Sequence, residues 1–140
     1  MLEKLLYVDD DADDLMIFNH AMNELGFPVS TFDSAAAILT ALHNAPQEAS
    51  IVFVDLNMAI KTGFDVIEEI NQTEELRELH VVAFSTSNDP KTIKRCRDLG
   101  ACLYLRKPNS MDKLRNMLKK VTSIDWTNFQ ATDDNFFIQA

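Results

Sequence analysis

Five short apolar runs punctuate the chain, and between them apolar residues recur every three or four positions. Leu5-Leu6-Tyr7-Val8, Val29 to Phe32, Ile51-Val52-Phe53-Val54, His80-Val81-Val82-Ala83-Phe84 and Cys102 to Leu105 read as strands. The third run is apolar at successive positions, the pattern of a strand covered on both faces. Leu15, Phe18, Met22 and Leu25 predict a helix that Gly26 stops. Asp33 or Ser34 caps a second helix over Ala35–His43, with Ile38, Leu39 and Leu42 on its apolar face. Phe64, Ile67 and Ile70 mark a third helix, entered through Gly63. Ile93 and Leu99 mark a fourth, with Pro90 at its first position, Asp89 or Ser87 as cap, and Gly100 at its end. Met111, Leu114, Met117, Leu118 and Val121 mark a fifth that starts near Ser110. Strands alternating with helices predict a parallel sheet with helices on both faces. No repeat, low-complexity tract or linker divides this unit, so one domain is expected.

That arrangement predicts where chemistry collects. In open parallel sheets, ligands bind in the crevice outside the C-terminal ends of the strands. Asp9 and Asp10 end the first strand, Asp55 the third, Ser85 the fourth and Lys107 the fifth. If the first and third strands are neighbours, three carboxylates converge without a fixed counter-charge, and a cation or a proton must relieve their repulsion. Hard oxygen ligands with open positions suit Mg²⁺. Lys107 reaches the same edge as a movable point charge, and Ser85 adds a hydroxyl. A tetrahedral anion beside Asp55 would meet a metal, an ammonium and a hydroxyl together. Taken singly, the Asp9–Asp11 run is an ordinary helix start, Ser85 a strand-end hydroxyl and Lys107 a surface lysine. Their joint order is what points to a site. His20, His43 and His80 show no ligand spacing and are given no metal role.

Composition narrows the classes. With 140 residues, 46% hydrophobic and 25% charged, the chain has the make-up of a soluble globular protein able to bury a core. No apolar run approaches a membrane span, and the N-terminus lacks the pattern of a signal peptide. Cys96 and Cys102 form neither a CxxC motif nor a disulfide framework, and both are expected to be reduced core residues of a cytoplasmic protein. The net charge of −9 is unevenly spread: residues 1–60 hold ten acidic residues and one basic one, Lys4. Residues 91–121 hold ten basic residues against Asp98 and Asp112. Solvated helix faces explain any single charge, but a reversal this complete predicts two differently charged surfaces. No nucleic-acid-binding motif accompanies the basic segment, so direct DNA binding is not expected.

On the pieces Val8-Asp9-Asp10, Val54-Asp55-Leu56-Asn57-Met58, Gly63, Ser85 and Lys107-Pro108, the chain closely resembles the receiver domain of two-component response regulators. The resemblance covers residues 1 to about 121 and implies a flavodoxin-like (βα)5 doubly wound parallel sheet with strand order 2-1-3-4-5. It implies that Asp55 is the phosphoacceptor, taking a phosphoryl group from a sensor histidine kinase or a histidine phosphotransfer protein as 4-aspartylphosphate. Asp10, Asp55 and the backbone carbonyl of Asn57 would ligate Mg²⁺, with Asp9 acting directly or through water. Ser85 and Lys107 would hold the phosphoryl oxygens, the Lys107–Pro108 bond would be cis, and Tyr104 occupies the aromatic switch position. Two departures stand out. The family usually has threonine where this chain has Ser85, and proline after the Asn57-Met58 pair, where this chain has Ala59. The stretches Ser85-Thr86-Ser87 and Leu99-Gly100-Ala101 through Lys107-Pro108 also resemble the stand-alone receivers paired with bacterial phytochromes.

Residues 122–140 carry Trp126, Phe129, Phe136 and Phe137 among polar residues, too short a stretch for an output domain. They read either as a disordered end or as an aromatic clasp docked on this or another subunit. The expectation is a stand-alone signalling receiver rather than a metabolic enzyme. Phosphorylation would turn Tyr104 inward. The basic face of the fourth helix, fifth strand and fifth helix would then dock an acidic partner or a second copy as a homodimer. Two rivals are an aspartyl-phosphate phosphatase, against which Asn57 speaks because no second aspartate follows Asp55 by two residues, and a degenerate receiver serving only as a protein-binding scaffold.

Overall fold

In the computed structural model, which describes residues 4–46 and 49–139, the expected alternation is complete. Strands β1 (Leu5–Val8), β2 (Val29–Phe32), β3 (Ile51–Asp55), β4 (His80–Ser85) and β5 (Leu103–Arg106) alternate with helices α1 (Ala12–Glu24), α2 (Ala35–Asn44), α3 (Gly63–Gln72), α4 (Pro90–Leu99) and α5 (Met111–Thr122). A further strand, β6 (Phe137–Ile138), follows α5. The polar residues before each helix explain where the helices begin. Asp11, Ser34, Asp89 and Ser110 each accept a hydrogen bond from a first-turn amide, and Thr62 forms a capping box with Asp65. Gly100 ends α4 in the left-handed conformation at φ 112°, a geometry that suits glycine.

All strands pair in parallel in the order β2-β1-β3-β4-β5-β6. The predicted order 2-1-3-4-5 is present and gains an edge strand. Two apolar layers sandwich the sheet. One joins α2, α3 and α4 to side chains such as Val52, Val54 and Ala83, and the other joins α1 and α5 to Tyr7, Phe53 and Leu103. Strands β1, β3 and β4 are buried on both faces, which accounts for their unbroken apolar runs.

The segment after α5 is the aromatic clasp, docked on its own sheet. Trp126 and Phe136 are buried, Phe129 and Phe137 half-buried. The Trp126 indole N–H donates to the Val121 carbonyl at 3.1 Å, and its ring stacks against His80 with centroids 4.8 Å apart. Three details correct the sequence reading. The Lys107–Pro108 bond is trans, the lower-energy isomer for an X–Pro bond, and Lys107 donates its backbone N–H to Ser85 in this arrangement. Tyr104 already lies fully inside because β6 covers β5 beside it. Strand β5 begins at Leu103 rather than Cys102, and β4 extends to Ser85.

Candidate functional site

Parallel pairing in register brings the strand ends together. Leu5 to Val8 pair with Ile51 to Val54, so Asp9 and Asp55 emerge side by side, and Ser85 pairs with Arg106 just before Lys107. One carboxylate oxygen each from Asp9, Asp10 and Asp55 falls within 4.8 Å of the others. Asp9 and Asp55 are buried while Asp10 is exposed. The expected convergence of these three residues is therefore present.

The expected absence of a fixed counter-charge is not. The Lys107 ammonium lies 2.9 Å from Asp9 Oδ2, 3.0 Å from Asp14 Oδ2 and 3.2 Å from Asp55 Oδ1. Burial alone would pull its pKa down, but the hydrogen bond to Asp9 and the charges of Asp55 and Asp9 raise it above the usual lysine value. Lys107 is thus a held cation rather than a movable one. Burial pushes the Asp55 carboxyl up to about 6; Lys107 pulls it back, Asp9 pushes it further, and the Asn57 backbone N–H steadies the ionised form. Asp55 is therefore largely ionised at neutral pH, with a basicity above that of an ordinary aspartate.

Asp9 has the most partners. Its Oδ1 accepts the Asp11 N–H at 2.9 Å, and its Oδ2 takes both Lys107 and the Tyr7 hydroxyl. Burial and the bond to Asp9 hold the Tyr7 phenol well above its ordinary pKa, so it stays a donor. Asp10 accepts the Ala59 N–H at 3.0 Å. The proline usual at that position has no N–H, so the departure at Ala59 supplies a bond that proline could not make. Ser85 is buried; its Oγ accepts the Ser87 N–H at 3.2 Å, and its hydroxyl is hydrogen-bonded to the Tyr104 phenol. Ile60, fully exposed at φ 66°, stands in the loop just beyond Asp55.

Gly63 fixes how closely α3 approaches. A Cβ there would lie 2.2 Å from the Asp55 carbonyl oxygen and 2.7 Å from Leu56 Cα, both backbone atoms that cannot yield cheaply. Only glycine lets the helix start this close to the acidic strand end.

Asp14 and Tyr7 were not singled out from the sequence. Asp14 reads as one of several first-turn acids that suit a helix N-terminus. Tyr7 sits in an apolar run, and its signal is that a buried phenol needs a polar partner.

As a donor set, the cluster fits a hard divalent cation. It offers carboxylate oxygens only, and Asp10, held by a single hydrogen bond from Ala59, faces solvent. Asp9, bonded through both oxygens, is better placed to act through a water than directly.

The family model for the response regulator receiver domain matches residues 5–119. The chain belongs to that family. Among relatives of this receiver, the two-component response regulator ORR3 of Oryza sativa subsp. indica is 32% identical over 104 residues, 74% of this chain and 79% of that protein. Similar solved structures include the phosphorylated cyanobacterial phytochrome response regulator RcpA. It has a TM-score of 0.80 at 22% identity, covering 91% of this chain and 96% of that one. The Mn²⁺-bound form of response regulator Rcp1 has a TM-score of 0.77 at 20% identity, covering 93% and 99%. At these identities the structural likeness shows the shared fold. Receivers of two-component systems work with histidine kinases or histidine phosphotransfer proteins. Among the described residues, no helix is long and apolar enough to cross a membrane.

Proposed function

We propose that this receiver takes a phosphoryl group onto Asp55 from a phosphohistidine, in a reaction that depends on Mg²⁺, and acts as a signalling switch rather than a metabolic enzyme. The observation that carries this reading is the environment of Asp55. It is a buried carboxylate with a raised pKa, 3.2 Å from a held ammonium and flanked by two further carboxylates. A buried acid gains from the ammonium but is destabilised by the two further carboxylates crowded against it. An acceptor of an anionic group needs them.

An Asp55 oxygen attacks phosphorus; the O–P bond forms as the P–N bond to the donor histidine breaks, and the imidazole leaves with the bonding pair. Lys107 holds one phosphoryl oxygen, and the Ser85 hydroxyl donates to another. Asp10, Asp55 and the Asn57 backbone carbonyl would hold Mg²⁺, with Asp9 acting through water. Bound there, the ion would supply charge neutralisation between two anions. Tyr7 and Asp11 keep Asp9 aimed at Lys107, and Asp14 restrains the ammonium from the α1 side. Two reduced cysteines, one buried and one half-buried, fit a cytoplasmic setting.

Intact mass after incubation with a small phosphodonor and Mg²⁺ tests the reading. A single phosphoryl adduct should appear and should vanish in Asp55→Asn and in chelator. An adduct that survives either treatment puts the acceptor elsewhere. No adduct at all would favour the scaffold reading.

A further inference from the structure

The Lys107 ammonium has three N–H bonds, and three carboxylates share them. Asp9 Oδ2 lies at 2.9 Å, Asp14 Oδ2 at 3.0 Å and Asp55 Oδ1 at 3.2 Å. A phosphoryl oxygen must therefore take an N–H that a carboxylate now holds. The three partners are not equally able to let go. Asp9 is buried and fixed by the Tyr7 hydroxyl and the Asp11 N–H, so water cannot take the place of Lys107 there. Asp55 is the acceptor itself, and its carboxylate loses its charge on becoming an acyl phosphate. Asp14 stands in the first turn of α1 with 41% of its side chain exposed, so water replaces Lys107 there at little cost.

The surroundings leave the ammonium room to shift. A cavity of about 330 Å³ opens beside the pair, lined by Asp14, Phe84, Lys107 and Pro108 among others. On its inner side the ammonium lies 5.4 Å from the centre of the Phe84 ring, a soft contact that does not fix its position. Asp13 supplies an internal comparison. It is an exposed first-turn acid of the same charge one position away, yet the ion pairs of Lys107 run to Asp9, Asp14 and Asp55.

We propose that Asp14 is a positioning residue that competes with a phosphoryl group on Asp55 for the Lys107 ammonium, and so sets how tightly the phosphorylated state is held. The inference rests on Asp55 being the phosphoacceptor. In the unmodified receiver Asp14 completes the shell of the ammonium and steadies the resting state. The oxygens of a phosphoryl group stand beyond the Asp55 carboxyl. Lys107 turns to one of them, and Asp14 gives way to water while Asp9 keeps its hold. The lost pair weighs only on the phosphorylated state, so Asp14 biases the switch towards the unphosphorylated one.

Calorimetric titration of the full chain with beryllofluoride, a mimic of the phosphoryl group, in excess Mg²⁺ tests this, and intact mass after a small phosphodonor reports the adduct in wild type. Asp14→Asn keeps the shape of the side chain and should bind the mimic about fivefold more tightly, the upper end for a part-exposed ion pair. Asp13→Asn removes the same charge without touching Lys107 and should change the affinity by less than about twofold. Asp14→Glu restores the charge and should return the affinity to near the wild-type value. Equal or weaker binding in Asp14→Asn overturns the competition, since a merely structural role for Asp14 would loosen the site and never tighten it. Equal tightening in Asp13→Asn also overturns it, by showing that net charge alone is at work. Absence of the adduct in wild type overturns the phosphoacceptor reading and this proposal with it.

Discussion

Replacing Asp55 by asparagine should make the metal-free protein more stable at pH 8, although it removes the residue on which the site is centred. Asp55 is 4% exposed, and burial raises its pKa from 3.8 to about 6. A difference of about two units corresponds to about 3 kcal/mol at 1.36 kcal/mol per unit. The strand-end edge is open to water on the Asp10 side, and screening there reduces this to about 1–2 kcal/mol. The folded-state pKa lies above the unfolded one, so the contribution of Asp55 to stability is fully present below about pH 4. It is lost as pH rises through about 6. Asparagine cannot ionise and escapes that loss. Its removal of charge leaves no orphan, because Lys107 keeps Asp9 and Asp14. Thermal melts in chelator should therefore show Asp55→Asn melting roughly 3–8 °C above wild type at pH 8, with the gap closing towards pH 4. Mg²⁺ should shrink the gap at pH 8, since wild type gains the better ligand set. A variant that melts at or below wild type at pH 8 in chelator, or a gap indifferent to pH, would refute the claim that Asp55 is ionised at a cost.

Lys107→Met should have the opposite sign. It strips the ammonium from Asp9, which is 1% exposed, and leaves that carboxylate with Tyr7 and Asp11 only; urea unfolding in chelator should show a loss of about 3 kcal/mol, partly restored by Mg²⁺. Gly63→Ala should cost about 1–3 kcal/mol, because its Cβ meets the backbone of Asp55 and Leu56, and calorimetric titration should show weakened Mg²⁺ binding as the strand end shifts. Unchanged melting and Mg²⁺ affinity in that variant would mean that α3 can retreat without disturbing Asp55.

Much of this protein was legible from local sequence. The unbroken apolar runs of β1, β3 and β4 follow from burial on both faces. The polar residues before α2, α4 and α5 include the caps that the structure uses, Ser34, Asp89 and Ser110. Asp9, Asp10, Asp55 and Lys107 meet, with Ser85 at the adjoining strand end, because every one of them ends a strand of a parallel sheet. Any chain with that alternation collects them at one edge.

What the sequence could not settle lies in contacts between distant positions. Lys107 is bound by Asp9 and Asp14, 98 and 93 positions away, so whether it is free or held depends on how closely α1 approaches β5. The Tyr7 hydroxyl is hidden inside an apolar run, and only packing shows that its partner is Asp9. The bond from Ala59 to Asp10 exists because the β3–α3 loop folds back over the first strand end. The tail is the clearest case. Four aromatics among polar residues fit a free end or a clasp equally well, since composition reports the capacity to bury surface and not the surface that receives it. The unpaired β5 edge and the basic flank of α4 decided the matter, and those arise only once the five preceding strands have been laid down in order.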